Sequence, residues 1–139
     1  MPLLFERTSV GVRPVRTTHF DPGGFAEYIR VPKINVELGT LHIPDTMTFD
    51  EGSFIEPLAC VVRAQRFAGV GMGQTVLVIG SGISGLLHIQ LARSRGAARI
   101  IATDVSDYRL KAALRFGADA AIHGAEDVPG RLRDLNDGR

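Results

Sequence analysis

Several things are scarce in this sequence, and each shortage excludes something. Cys60 is the only cysteine in 139 residues, so an internal disulfide and a multi-cysteine zinc site are both ruled out. A reducing, cytoplasmic setting is the corresponding expectation. Net charge is small, +1 with acids and bases mixed along the chain, which gives no electrostatic case for nucleic acid or for an anionic membrane surface. No apolar run approaches the roughly 18–20 residues of a membrane span. The opening Met1-Pro2-Leu3-Leu4-Phe5-Glu6 is too short and too lightly charged to read as a secretory signal. Internal repeats and low-complexity tracts are also missing. What is present is an ordinary globular composition, 45% apolar, over about one domain's length.

Two regions differ in pattern, 1–53 and 54–139. The first is rich in β-branched and turn residues. Phe25 to Pro32 alternates in the manner of a half-buried strand, just after the turn signal Asp21-Pro22-Gly23-Gly24. Thr48 and Glu51 have capping-box spacing and predict a short helix. In the second region Pro57 suits the first position of a helix whose apolar residues run from Leu58 through Val62 to Phe67. Strand and helix then alternate. Strand Thr75 to Ile79 is continuously apolar, as in a sheet covered on both faces. A helix from Ile83 to Arg95 closes at Gly96, and strand Arg99 to Thr103 follows. A helix from Ser106 to Phe116 closes at Gly117, before strand Ala118 to Ile122 and a last helix within Glu126 to Leu135. The fold class is α/β with a parallel, doubly wound (Rossmann) sheet, of which this is the first half.

Gly80-Ser81-Gly82-Ile83-Ser84-Gly85 matches Gly-x-Gly-x-x-Gly. Sixteen glycines make chance matches easy, so the context carries the argument: the motif leaves a buried-type strand and opens an amphipathic helix. Gly80 permits the tight turn, Gly82 lets a pyrophosphate approach the backbone, and Gly85 lets helix and sheet lie close. The free N–H groups and the positive end of the helix dipole then face the phosphates. An acid is needed about twenty residues on, and Asp104 ends the next strand nineteen positions past Gly85. Its carboxylate can accept from ribose hydroxyls and repels a 2′-phosphate, so NAD is favoured over NADP, a preference that Arg109 softens slightly. An S-adenosylmethionine site would also use such an acid, and the glycine spacing argues against it.

With these residues in view, the sequence resembles the zinc-dependent medium-chain alcohol dehydrogenases, in the sorbitol (polyol) and threonine dehydrogenase branch. The resemblance rests on Gly23-Gly24-Phe25-Ala26-Glu27-Tyr28, Ile55-Glu56-Pro57-Leu58-Ala59, the glycine loop, Thr103-Asp104-Val105-Ser106 with Arg109, and Phe116-Gly117-Ala118-Asp119. It implies a partial β-rich GroES-like catalytic domain over 1–53 and a partial NAD-binding Rossmann domain over 54–139. NAD contacts are implied at Gly80, Gly82, Ile83, Ser84, Gly85, Asp104 and Arg109. Glu56 is implied in the catalytic zinc site, as a ligand or through zinc-bound water; read from the residues alone, it is an acid stabilised at a helix N-terminus. The implied reaction moves hydride between a small secondary alcohol or polyol and NAD.

The departures limit that reading. The family's early Cys-Gly-x-Asp segment, its Gly-His-Glu segment and its four-cysteine lobe do not occur here. One carboxylate cannot hold a catalytic zinc, which needs about three protein ligands. The expectation is therefore an internal piece of a longer enzyme, inactive by itself, and the alternative function is a non-catalytic nucleotide-binding module. Strand Thr75 to Ile79 would be central in a full sheet. With one edge unpaired it favours homo-oligomer formation or aggregation.

Other residues read as structural. His19, His42, His88 and His123 share no metal-ligand spacing, and the pair His19 and Asp21 reads as a solvated loop. His88 is expected to pack or hydrogen-bond locally, and Cys60 to be a buried, inert thiol. Arg131, Arg133 and Arg139 read as a solvated basic face. Ser81 and Ser84 have no adjacent base and form no nucleophile elbow.

Overall fold

Alternating strand and helix patterns need a sheet to pack on, and among the described residues that sheet begins at Thr75. The computed structural model describes residues 25–28 and 30–136, which divide into two units between Met47 and Thr48. In the first unit the described residues form one helix, α1 (Lys33–Gly39), entered from Pro32 and carrying a Lys33–Glu37 pair at 3.5 Å. The strand expected over Phe25 to Pro32 is not formed among the described residues there. They run as bends and irregular backbone, with Phe25 and Tyr28 exposed. An alternating pattern becomes a strand only beside a partner strand, and the described residues of this unit supply none. The turn signal at 21–24, His19 and Asp21 lie outside the described residues.

The second unit opens as the capping box dictates. Glu51 N–H donates to Thr48 Oγ1 (3.2 Å) and Thr48 N–H to Glu51 Oε2 (2.8 Å), starting α2 (Phe49–Gly52). Helix α3 (Ile55–Phe67) begins two residues before Pro57. Proline is accommodated there because first-turn N–H groups have no intrahelical acceptor to lose.

Three parallel strands follow, β1 (Thr75–Ile79), β2 (Arg99–Asp104) and β3 (Ala120–His123), in the order β1-β2-β3. They alternate with α4 (Ile83–Ser94), α5 (Asp107–Arg115) and α6 (Val128–Leu135). The register sets Val76 beside Ile100, Val78 beside Ala102, and Ala102 beside Ala121. Strand β2 has a partner on each side, and from Ile100 to Asp104 it is buried throughout. Strand β3 starts two residues later than its apolar pattern predicts. Ala118 N–H is still donating to Ala113 O (3.0 Å) to close α5, and Asp119 N–H reaches Ile100 O (2.8 Å) before pairing proper begins.

The main core cluster lies on one face of the sheet, while Ile101 and Ile122 are buried on the other. Val78, Ile100 and Ala102 meet Ile89 and Ala92 of α4 and Ala113 of α5. The alanines let the helices approach the strands closely, the dense packing that makes a core sensitive to single methyl groups. Thr75 and Arg99 alternate to the opposite face. There they bond Asn136 Oδ1 (3.2 Å) and Leu135 O at the end of α6. Strand β1 keeps one edge without a strand partner among the described residues, and Leu77 and Ile79 are exposed.

Candidate functional site

The centre of the site is the turn from β1 into α4. Gly80 has φ +87°, a left-handed conformation that non-glycine residues rarely take, and its N–H donates to Thr103 O (2.9 Å). The chain next places Ser81 in the interior, where Ser81 Oγ also donates to Thr103 O (3.1 Å). Gly82 is extended and caps α4 by accepting from Leu86 N–H (2.9 Å), while no side chain caps the helix. The leading N–H groups of α4 are thereby left for a ligand. A Cβ added at Gly82 would enter open space, whereas one at Gly85 would collide with the Gly80 carbonyl. Gly82 leaves room above the loop, and Gly85 lets α4 lie against β1. Ile83 and Ser84 stand exposed at the lip.

Asp104 is buried beneath this turn. Its Oδ2 accepts from Ser81 N–H (2.8 Å) and its Oδ1 from Ser106 N–H (2.9 Å), with Arg109 Nη1 3.8 Å from Oδ2. The Ser81 N–H above all, then Ser106 N–H and the Arg109 charge, hold its carboxyl below the ordinary aspartate value against the opposing effect of burial. The carboxylate thus ties β2, the glycine loop and the start of α5 together. Sequence reasoning assigned Asp104 to a ligand and missed Ser81 as its partner. The signal available was the polar residue between two glycines at a strand end.

Glu56 lies on the first turn of α3, away from the bonds that join loop and carboxylate. It accepts from Cys60 Sγ at 3.2 Å, one helical turn on. Cys60 is exposed, which corrects the expectation of a buried thiol: it sits off the stripe defined by Val61 and Gln65, the residues of α3 that are buried. Glu56, chiefly by this hydrogen bond, raises the Cys60 thiol above its ordinary value. Among the described residues no three His, Cys, Asp or Glu side chains cluster as a metal site. No helix among them is long and apolar enough to cross a membrane.

A groove of about 640 Å³ runs between α3, β1 and the glycine loop, with Ala64, Gln65, Val76, Ile79 and His88 in its walls. His88 hydrogen-bonds locally, as expected, to Gln65, and burial lowers its imidazole from the ordinary value.

The zinc-binding dehydrogenase family model matches residues 84–139, from inside the glycine loop through the sheet. Sorbitol dehydrogenase of Gallus gallus is 42% identical over 87 residues, which cover 63% of this chain and 24% of that protein. Over these stretches the chain is similar to the zinc-dependent medium-chain dehydrogenases. Galactitol-1-phosphate dehydrogenase from Escherichia coli superposes with a TM-score of 0.70 at 34% identity, over 84% of this chain and 33% of that one. A zinc-binding dehydrogenase from Sinorhizobium meliloti 1021, bound to NADP, gives 0.60 at 37% identity, over 63% and 26%. The chain spans about a quarter of the length of the curated dehydrogenases it matches.

Proposed function

We propose that this chain is the nucleotide-holding part of a dehydrogenase that moves hydride between a secondary alcohol or polyol and NAD. The observation that carries the reading is the Gly80–Gly85 turn. It combines an uncapped helix N-terminus, open space over Gly82 and a carboxylate fixing the loop from below. Such a turn receives a pyrophosphate on backbone N–H groups without rearranging. When bound, NAD supplies the hydride acceptor; the residues of this chain bind and orient it. The N–H groups of Ile83, Ser84 and Gly85 take the phosphates. Asp104, already bonded twice to backbone, offers its remaining lone pairs to the ribose, where its charge disfavours a 2′-phosphate. Arg109, exposed beside it, flanks the same sugar.

Zinc does not fit the described residues in the same way. Glu56 with Cys60 is one carboxylate and one thiol, short of the three ligands a catalytic zinc requires. No step through zinc is assigned to this chain, and Glu56 stays a candidate contributor to a zinc site completed by other residues. The same observation favours a second reading, in which these 139 residues bind the nucleotide without turnover.

Isothermal titration of the 139-residue chain with NAD, NADP and S-adenosylmethionine tests the first reading. NAD binding tighter than NADP supports it, and binding of S-adenosylmethionine alone overturns it. Adding zinc and sorbitol and following NADH absorbance separates the two readings, since only a competent catalyst produces the signal.

A further inference from the structure

The Gln65–His88 contact joins α3 to α4 in the wall of the groove beside the glycine loop, and its geometry is tightly determined. Gln65 is a buried polar residue on the apolar stripe of α3, 3% exposed. Its Nε2 donates to the backbone carbonyl of His88 at 2.8 Å and lies 3.2 Å from His88 Nδ1. A carbonyl oxygen only accepts, so the NH₂ end of the amide must face it, and the amide orientation follows. His88 Nδ1, facing the same NH₂ group, must then accept. The imidazole is therefore neutral with its proton on Nε2. At the other end of the amide, Gln65 Oε1 is buried with no hydrogen-bond partner among the described residues.

An unpaired buried oxygen beside a histidine that can take up a proton is a system with two arrangements. We propose that Gln65 and His88 form a proton-sensitive latch between α3 and α4. With His88 neutral, Gln65 Nε2 bonds both His88 acceptors. With His88 protonated, Nδ1 becomes a donor facing a donor, and the Gln65 amide turns over to offer Oε1. That turn gives up the bond to the His88 carbonyl and sets two oxygens against each other, so the two helices lose this anchor and keep the Arg95 Nη2 to Val62 O bond (3.5 Å) between them.

No other charge on the packed elements drives this change. On α3, Arg63 and Arg66 flank Gln65, with Cys60 and Glu56 further along; β1 has no titratable group; β2 brings Arg99 and Asp104. Helix α5 carries Asp107, Tyr108, Arg109, Lys111 and Arg115, and α4 carries Arg93, with Arg95 at its C-cap reaching Val62 O of α3. Burial lowers the His88 imidazole from its ordinary 6.5, in the same direction as the Gln65 bond to Nδ1. With the folded value depressed, the latch is intact above about pH 6.5 and is lost as pH falls through the folded value.

Helix α4 carries the glycine loop at its start, so the latch is a positioning device for that loop; this last link rests on the cofactor reading above. Nitrogen-15 NMR of the full chain from pH 8 to 5 tests the latch without any ligand. The expected result is an Nε2–H tautomer for His88 and Gln65 amide resonances that move with the His88 midpoint. A proton on Nδ1 at pH 8, or a Gln65 amide indifferent to the His88 titration, overturns it. Titration with NAD at pH 8 and 5.5, in the parent and in His88→Gln, tests the coupling. The parent should lose affinity by about fivefold or more relative to the variant. Equal pH dependence in the two refutes the coupling. Absence of binding at both pH values refutes the cofactor reading, with the latch still decided by the NMR.

Discussion

Gly82 and Gly85 sit three residues apart in one motif, and alanine should affect them in opposite ways. A Cβ at Gly85 collides with the Gly80 carbonyl and lies 3.6 Å from Val78 Cγ1. The obstacle is backbone held at φ +87° and bonded to Thr103, so it cannot swing aside. Overpacking of this kind costs about 3 kcal/mol, the top of its usual range. Better helix propensity returns up to about 1 kcal/mol. The net loss of roughly 2 kcal/mol should lower Tm by roughly 8–16 °C in a unit of this size. At Gly82 nothing lies within 4 Å of the new Cβ, and the backbone is extended with φ −72°. Gly82→Ala should therefore cost only the poorer N-cap, on the order of 0.5–1 kcal/mol. Its methyl group instead occupies the space the pyrophosphate needs, so NAD affinity should fall at least about tenfold. Circular dichroism melts and calorimetric titration read the two effects separately. A Gly85→Ala melt within a few degrees of the parent would refute the close-contact argument. A Gly82→Ala chain that binds NAD as the parent does would refute the cradle.

Three further outcomes follow from the same geometry. Asp104→Asn should weaken the tie between loop and sheet. Because its carboxyl is held below 3.8 in the fold, the parent's advantage should be full above about pH 4 and vanish as pH falls through the lowered value; urea midpoints between pH 7 and 3 measure it, and a difference that does not depend on pH contradicts it. Glu56→Gln should speed alkylation of Cys60 by iodoacetamide at pH 8, since losing the carboxylate lowers the thiol and enlarges the thiolate fraction; an unchanged rate means the Glu56–Cys60 bond is absent in solution. Leu77→Lys places a charge on the exposed, strand-free edge of β1 and should reduce self-association seen by sedimentation equilibrium; a parent chain that is monomeric throughout removes the edge as an association surface.

Much of the second unit was legible because its signals are local. The capping box at Thr48, the apolar run Thr75–Ile79 and the glycines after α4 and α5 each act within a few residues. Those elements came out within about two positions of their patterns. Phe25 to Pro32 shows the limit: alternation states which face a strand would bury, and the described residues there have no sheet to bury it against. Cys60 was misread for a related reason. An apolar helix indicates that a face will be buried, and a one-residue step around α3 places Val61 inside and Cys60 outside.

The sequence by itself determined the motif chemistry, the strand–loop–helix order and the family resemblance, since these depend on residue types at fixed spacings. Tertiary structure decided what each polar group does. Asp104 was visible as an acid at the right distance, but only the parallel pairing of β1 with β2 brings it under Ser81, twenty-three residues away. Gln65 gave no signal, because a glutamine on a helix acquires meaning only from what the neighbouring helix presents to it. Spacing along the chain governs local geometry, while partners far apart in sequence are chosen by packing.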